Sequence, residues 1–147
     1  MKIKVVLDDG AKMPTKAHNN DAGFDLYSIE DKLIPGKTNI LGIQQNNSAT
    51  FDTGVHIEIP KGYVGFLKSK SGLNVKHHLT SDGVIDAGYT GSIVVKLYNH
   101  GNDYYQVKKG EKISQLVILP IPEIELIQVD FLEETERGDN GFGSSGR

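Results

Sequence analysis

The sequence predicts an all-β fold, a sandwich or barrel of short strands, and three observations carry that prediction. Apolar and polar residues alternate with period 2 in six separate runs. Pro, Gly, Asn or Asp stand between the runs, and no window of a dozen residues keeps a helical period. The runs are rich in Val, Ile and Tyr, whose branched or flat side chains suit a pleated, half-buried surface. A chain of 147 residues, 37% hydrophobic and 24% charged, is expected to form one domain.

The first strand is residues 2–7, KIKVVL, and a second begins within 21–28, DAGFDLYS, where a permissive glycine sits at its entry. Residues 36–52 hold no clear period and read as a long surface connection. Residues 53–59, TGVHIEI, and 63–69, YVGFLKS, alternate again, with a tight turn at 59–62, IPKG. At most a short helical turn follows Ser69. Residues 82–91, DGVIDAGYTG, read as a hairpin holding Asp86 on its inside. Strands are expected at 92–99, 112–119 and 124–130, with a turn at 100–103. From about Glu133 the chain is polar, aperiodic and glycine-rich, a tail leaving the body.

Composition narrows the function. No segment approaches the ~18 apolar residues of a membrane span, and the start lacks the apolar core of a secretory signal. The absence of cysteine suits a reducing cytoplasm and excludes thiolate metal sites. A net charge of −3 speaks against non-specific nucleic-acid binding, so any bound anion is captured by local arrangement.

Five glycine-punctuated stretches could supply that arrangement. In 21–28, two carboxylates flank Gly23; they serve turn chemistry, or Asp25 holds a hydrated magnesium ion. In 68–73, KSKSGL is either a solvated basic turn or an anion nest of amides, hydroxyls and lysine, without P-loop spacing. In 82–91, backbone groups near the tip can imitate a base edge and Tyr89 can support a sugar; the alternative is a plain hairpin. In 110–116, GEKISQL enters a strand with Gln115 as its notable polar residue. In 137–146, RGDNGFGSSG is either a frayed end or a segment that orders around a polyanion. The histidines have no metal-site spacing, and adjacent His77 and His78 point to opposite faces of an extended chain.

In this order, AGFDL, KSKSGL, GVIDAGYTG, GEKISQL and RGDNGFGSSG resemble the five motifs of the trimeric dUTPases, spanning residues 22–146. The resemblance implies a jelly-roll-like all-β subunit, residues 1–132, with a flexible C-terminal arm, 133–147, that closes active sites lying between the subunits of a homotrimer. It implies hydrolysis of dUTP to dUMP and pyrophosphate with Mg2+, which limits uracil incorporation into DNA and supplies dUMP for thymidylate synthesis. The location implied is the cytoplasm, or a host's cytoplasm for a viral source.

By matching position, Asp86 activates the water that attacks the α-phosphorus and Asp25 holds the magnesium through water. Lys70, Ser71 and Gly72 cradle phosphate oxygens, and Gln115 bonds near the α-phosphate. The backbone through Thr80, Gly83 and Ile85 reads uracil, with Tyr89 under the deoxyribose. In the arm, Arg137, Gly143, Ser144 and Ser145 reach the outer phosphates while Phe142 stacks over uracil. Neither nucleic acid nor membrane is implied as a partner; a regulatory protein partner stays open.

Three positions depart from the family pattern: Lys70 replaces an arginine, and Lys112 and Ser114 replace the Arg and Ala of the fourth motif. The related dCTP deaminases carry a glutamate base on the strand after the third motif, where this chain has Lys96. Deamination is therefore ranked well below diphosphohydrolysis, and a nucleotide-sensing protein using the same pocket is the third reading.

Overall fold

The structure, a computed structural model, describes residues 1–141. Alternation is met by strands β1 (Val5–Leu7), β2 (Gly23–Tyr27), β3 (Lys32–Ile34), β4 (Ser48–Ile57) and β5 (Tyr63–Lys68). After helix α1 (Ser71–His77) come β6 (Leu79–Thr80), β7 (Asp82–Ile85), β8 (Ser92–Asn99), β9 (Tyr105–Val107) and β10 (Lys112–Pro120). All pairs are antiparallel. There are two four-stranded sheets, ordered β1-β4-β8-β6 and β2-β10-β5-β7, and a separate two-stranded β3-β9 ribbon.

The core lies where the inner faces meet. Along β8, Ile93, Val95 and Leu97 point inward and Val94, Lys96 and Tyr98 outward, the alternation that a sheet with one wet face requires. Phe51 and Val55 of β4, Leu26 of β2, and Ile113 and Leu116 of β10 fill the same cluster. No helix among the described residues is long and apolar enough to cross a membrane.

Three expectations change. The surface connection ends at Asn47, because β4 starts at Ser48 and carries Phe51 into the core; its Ser, Thr and Asp residues mask that period. Residues 82–91 are not a paired hairpin. β7 joins β5 in one sheet and β8 joins β4 and β6 in the other, so 86–91 is a corner between sheets. Residues 124–130 alternate but form no strand. Ile124, Leu126, Ile127 and Phe131 are exposed, Leu126 at 93%, because no edge within the described residues pairs with them.

Candidate functional site

Register assembles the first part of the site. Gln115 on β10 stands opposite Asp25 on β2 and Lys68 on β5, and Lys68 stands opposite Asp82 on β7. One row thus crosses the whole β2-β10-β5-β7 sheet, and residues opposed in a row share a face. β5 ends at Lys68, and the chain turns through Ser69 and Lys70 into α1, which lays Lys70 over Asp25.

Asp25 is the electrostatic centre of this row. Its side chain is 7% exposed and lies between the Lys70 ammonium on Oδ1 and the Lys112 ammonium, 2.7 Å from Oδ2. Burial alone pushes the carboxyl up, but the hydrogen bonds and charges of Lys112 and Lys70 outweigh it and hold Asp25 below the ordinary carboxylate range. Lys112 is raised in turn by Asp25. At the far end of the row, Lys68 Nζ lies 2.5 Å from Asp82 Oδ1 and lowers that carboxyl too.

The donor set decides what metal could sit here. Asp25 is one carboxylate with an ammonium already on each oxygen, and no group of three His, Cys, Asp or Glu residues among those described could hold an ion. Each carboxylate oxygen keeps a second lone pair for a water. That set suits a hydrated magnesium held chiefly by a polyphosphate, and does not suit a dehydrated ion in a protein cage.

Gln115 donates from Nε2 to the Ser69 carbonyl at 3.1 Å, and its amide lies against Gly23, where an added Cβ would meet Oε1 at 2.5 Å. The glycine of the DAGFDLYS stretch is thus needed for close approach of Gln115. Behind the row, Ser81 Oγ and Ser114 Oγ are 2.9 Å apart, Ser114 Oγ donates to the Lys68 carbonyl at 3.1 Å, and Ser69 Oγ donates to the Ser81 carbonyl at 3.0 Å. The serine at the unusual motif position therefore ties β10 to both segments beneath the cluster. Ser114→Ala should destabilise the chain by about 1–3 kcal/mol, because Ser81 loses its partner while buried. Urea unfolding measures this, and Ser81→Ala together with Ser114→Ala should recover part of the loss.

Asp86 lies elsewhere. It follows β7, exposed, in a groove of about 660 Å³ with Lys61, Tyr63, Val64 and Glu123. It lies four positions after Asp82, just past the end of β7, about 13 Å along an extended chain. Tyr89, in the same corner, donates its hydroxyl to the Ser92 carbonyl at 2.9 Å, and its amide bonds to the Asp86 carbonyl at 3.2 Å.

The other residues singled out by sequence divide between these places. Ser71 and Gly72 are exposed in the first turn of α1 beside Lys70. Gly83 and Ile85 are held by β5 opposite Leu67 and Gly65, on the strand joining the row to Asp86. Thr80 is turned away, with Oγ1 2.7 Å from His100 Nε2. Arg137 donates from Nε to the Asn140 carbonyl of its own turn, 3.2 Å away. Phe142, Gly143, Ser144 and Ser145 lie outside the described residues.

His77 and His78 are not on an extended strand. His77 ends α1 and packs its ring against Tyr105, tilted at 55° with the centroids 4.9 Å apart, while His78 closes the helix at φ 58°. Both line a polar cavity with His100, Lys37 and Lys76. Lys96 is exposed on β8 with its ammonium 5.1 Å from the Tyr98 ring centroid, and supplies no carboxylate for deamination. Lys68 stands in the basic stretch 68–73 and Lys112 in the fourth motif, but sequence reasoning does not foresee the ion pairs of Lys68 with Asp82 and of Lys112 with Asp25, which arise only from the register of β2, β10, β5 and β7.

The dUTPase family model matches residues 9–146. The deoxyuridine 5'-triphosphate nucleotidohydrolase of Clostridium tetani is 44% identical over 151 residues, covering 100% of this chain and 97% of its own. Its counterpart in Nautilia profundicola is 41% identical, covering 100% of both. Among solved structures, the Staphylococcus bacteriophage 80alpha dUTPase with dUpNHpp matches with a TM-score of 0.86 and 35% identity over 99% of each chain. The dUTPase of S. aureus phage phi11, which coordinates a structural Mg(II) ion, matches with a TM-score of 0.78 and 31% identity, over 91% of this chain and 100% of its own.

Proposed function

The chain belongs to the dUTPase family and hydrolyses dUTP to dUMP and pyrophosphate; we propose that it does so at a site shared between copies, with Asp86 as the general base. The separation of Gln115 from Asp86 carries this reading. Both are assigned to the α-phosphate, yet in one chain they lie about 13 Å apart along the strands and two strand spacings, about 9.5 Å, across them. A base works within hydrogen-bond reach of its water. Asp86 of one copy therefore serves the row of Asp25, Lys70, Lys112 and Gln115 of another.

The exposed, alternating residues 124–131 support assembly. An unpaired, alternating apolar segment of this kind can add to a sheet edge in a second copy, and a closed homotrimer satisfies every such edge at once.

In the assembled site, Lys70 and Lys112 give charge to the phosphates, Ser71 and Gly72 offer hydroxyl and backbone amide, and Gln115 orients the α-phosphate. Asp86 takes a proton from water as its oxygen bonds to the α-phosphorus; the bond from that phosphorus to the bridging oxygen breaks, and pyrophosphate leaves. Asp25 would hold a magnesium ion through water, and the ion would supply neutralisation of charge on the leaving pyrophosphate. The strand through Gly83 and Ile85, with Thr80 before it, presents backbone groups to uracil, and Tyr89 lies under the sugar. Pyrophosphate release measured across the dNTPs and UTP, with and without magnesium, tests this: turnover confined to dUTP and lost without magnesium is expected.

Residues 133–147 form an arm that covers the bound nucleotide, bringing Arg137, Gly143, Ser144 and Ser145 to the outer phosphates and Phe142 to the base. Truncation after Glu136 should cripple turnover and leave thermal unfolding unchanged. Phe142→Ala should weaken productive binding by about 1–3 kcal/mol, the scale of base–aromatic stacking. Unchanged kinetics in the truncated chain would remove the arm from the mechanism. The protein acts in the cytoplasm, on free nucleotide, without nucleic acid or membrane.

A further inference from the structure

We propose that His56 is a positioning residue for the corner that carries Asp86 and Tyr89, and that it acts as a doubly protonated imidazolium. This rests on the assignment of Asp86 as base. His56 reaches the corner because β4 bulges beside it. Asp52 pairs with Val94 and His56 with Ser92, so four residues of β4 span what two of β8 cover. Gly54 makes the bulge at φ +63°, with Ala11 and Asp8 filling the space where a Cβ would project. Gly54 also donates to Asp52 Oδ1 at 2.9 Å.

The ring that emerges bridges two segments. Nδ1 lies 2.8 Å from the Thr90 carbonyl and Nε2 lies 3.3 Å from Asp8 Oδ2. A carbonyl and a carboxylate can only accept, whereas a neutral imidazole has one N–H to donate. Both contacts are therefore satisfied together only when both ring nitrogens carry protons. The corner has two other ties, the amide of Tyr89 to Asp86 and the hydroxyl of Tyr89 to Ser92. Both fold it onto itself or onto β8, whereas His56 anchors it to β4 and to the segment after β1.

The charges around the ring agree with this. Asp8 faces it from beyond β1 and Asp52 from β4, with Asp52 bound to the Ser92 hydroxyl. Lys4 and Glu58, paired at 2.9 Å, line the same shallow cavity. The Thr90 carbonyl, then Asp8, raise His56 above its ordinary value of 6.5. Because the folded value is raised, the two-sided anchor is complete below pH 6.5, and one of its two contacts is lost as pH rises through the folded value. A carboxylate base behaves in the opposite sense, gaining activity as pH rises. His56 thus contributes an alkaline limb to the activity.

The test compares kcat/KM for dUTP from about pH 5.5 to about pH 9 in the full-length wild type, His56→Gln and Asp8→Asn, alongside an NMR titration of the His56 ring. Substrate ionisations are common to all three profiles and cancel in their ratios. The wild type should exceed His56→Gln by about three- to tenfold at low pH, the scale of a charge-assisted hydrogen bond open to water. That ratio should fall as the ring deprotonates and keeps a single donor, and Asp8→Asn should move the limb and the NMR midpoint downward together. A ratio constant with pH, or an NMR midpoint at or below 6.5, overturns the proposal. Should His56→Gln not fold, the Asp8→Asn shift decides alone: a limb that stays put sinks the idea. An active Asp86→Asn enzyme would instead overturn the base assignment, which these ratios do not address.

Discussion

Asp86→Asn should lower kcat for dUTP by about 10²–10⁴-fold, the range a positioned general base supplies. The affinity for a non-hydrolysable dUTP analogue should change little. Asparagine keeps the shape of the side chain but cannot take the proton of the attacking water. Asp86 is exposed, and it is its backbone carbonyl that holds the corner through the Tyr89 amide. The substitution therefore removes the base without disturbing the turn, and Asp25, Lys70 and Lys112 remain to bind phosphate. Pyrophosphate release gives kcat and calorimetry gives the analogue's Kd. Turnover within a few-fold of wild type would take the base role from Asp86, whereas loss of analogue binding would make it a binding residue.

Strand β8 was legible to the residue, because three inward aliphatics separated by outward residues admit one phase on a half-buried sheet. Strands β3, β6 and β9, two or three residues each, left no period long enough to recognise. Residues 82–91 showed that the chain turns, but local sequence says nothing about which sheet each flanking strand joins. Residues 124–130 fail differently: the alternation is real, but a period states that an edge is wanted and not which chain provides it. In the site, Asp25, Lys70 and Gln115 are singled out through ordered motifs, and the register places Asp25 and Gln115 in one row with Lys70 over it. His56 had no such signal. Its partners Asp8 and Thr90 are 48 and 34 residues distant, and only the bulge at Gly54 brings them to one ring.

Chains carrying Asp25→Asn, mixed equally with chains carrying Asp86→Asn and refolded together, should regain about one quarter of wild-type activity per site through random assembly into closed oligomers. Each parent alone should be nearly inactive, since every site of the first lacks the carboxylate between Lys70 and Lys112 and every site of the second lacks the base. In the mixture, a site that takes its phosphate row from an Asp86→Asn chain and its base from an Asp25→Asn chain carries neither lesion. Each choice has even odds, so the product is about one quarter. A site built within one chain has no such combination, because every chain present is defective. Neither lesion should prevent assembly: Asp86 is exposed, and Lys70 and Lys112, 25% and 43% exposed, can turn to water when Asp25 loses its charge. Size-exclusion chromatography checks that the refolded mixture matches the wild-type oligomer. With that match in hand, activity no greater than the sum of the parents would place Asp86 and the Asp25 row of the same chain in one site, and the distance of about 13 Å along the sheet would then have to be closed by movement within that chain.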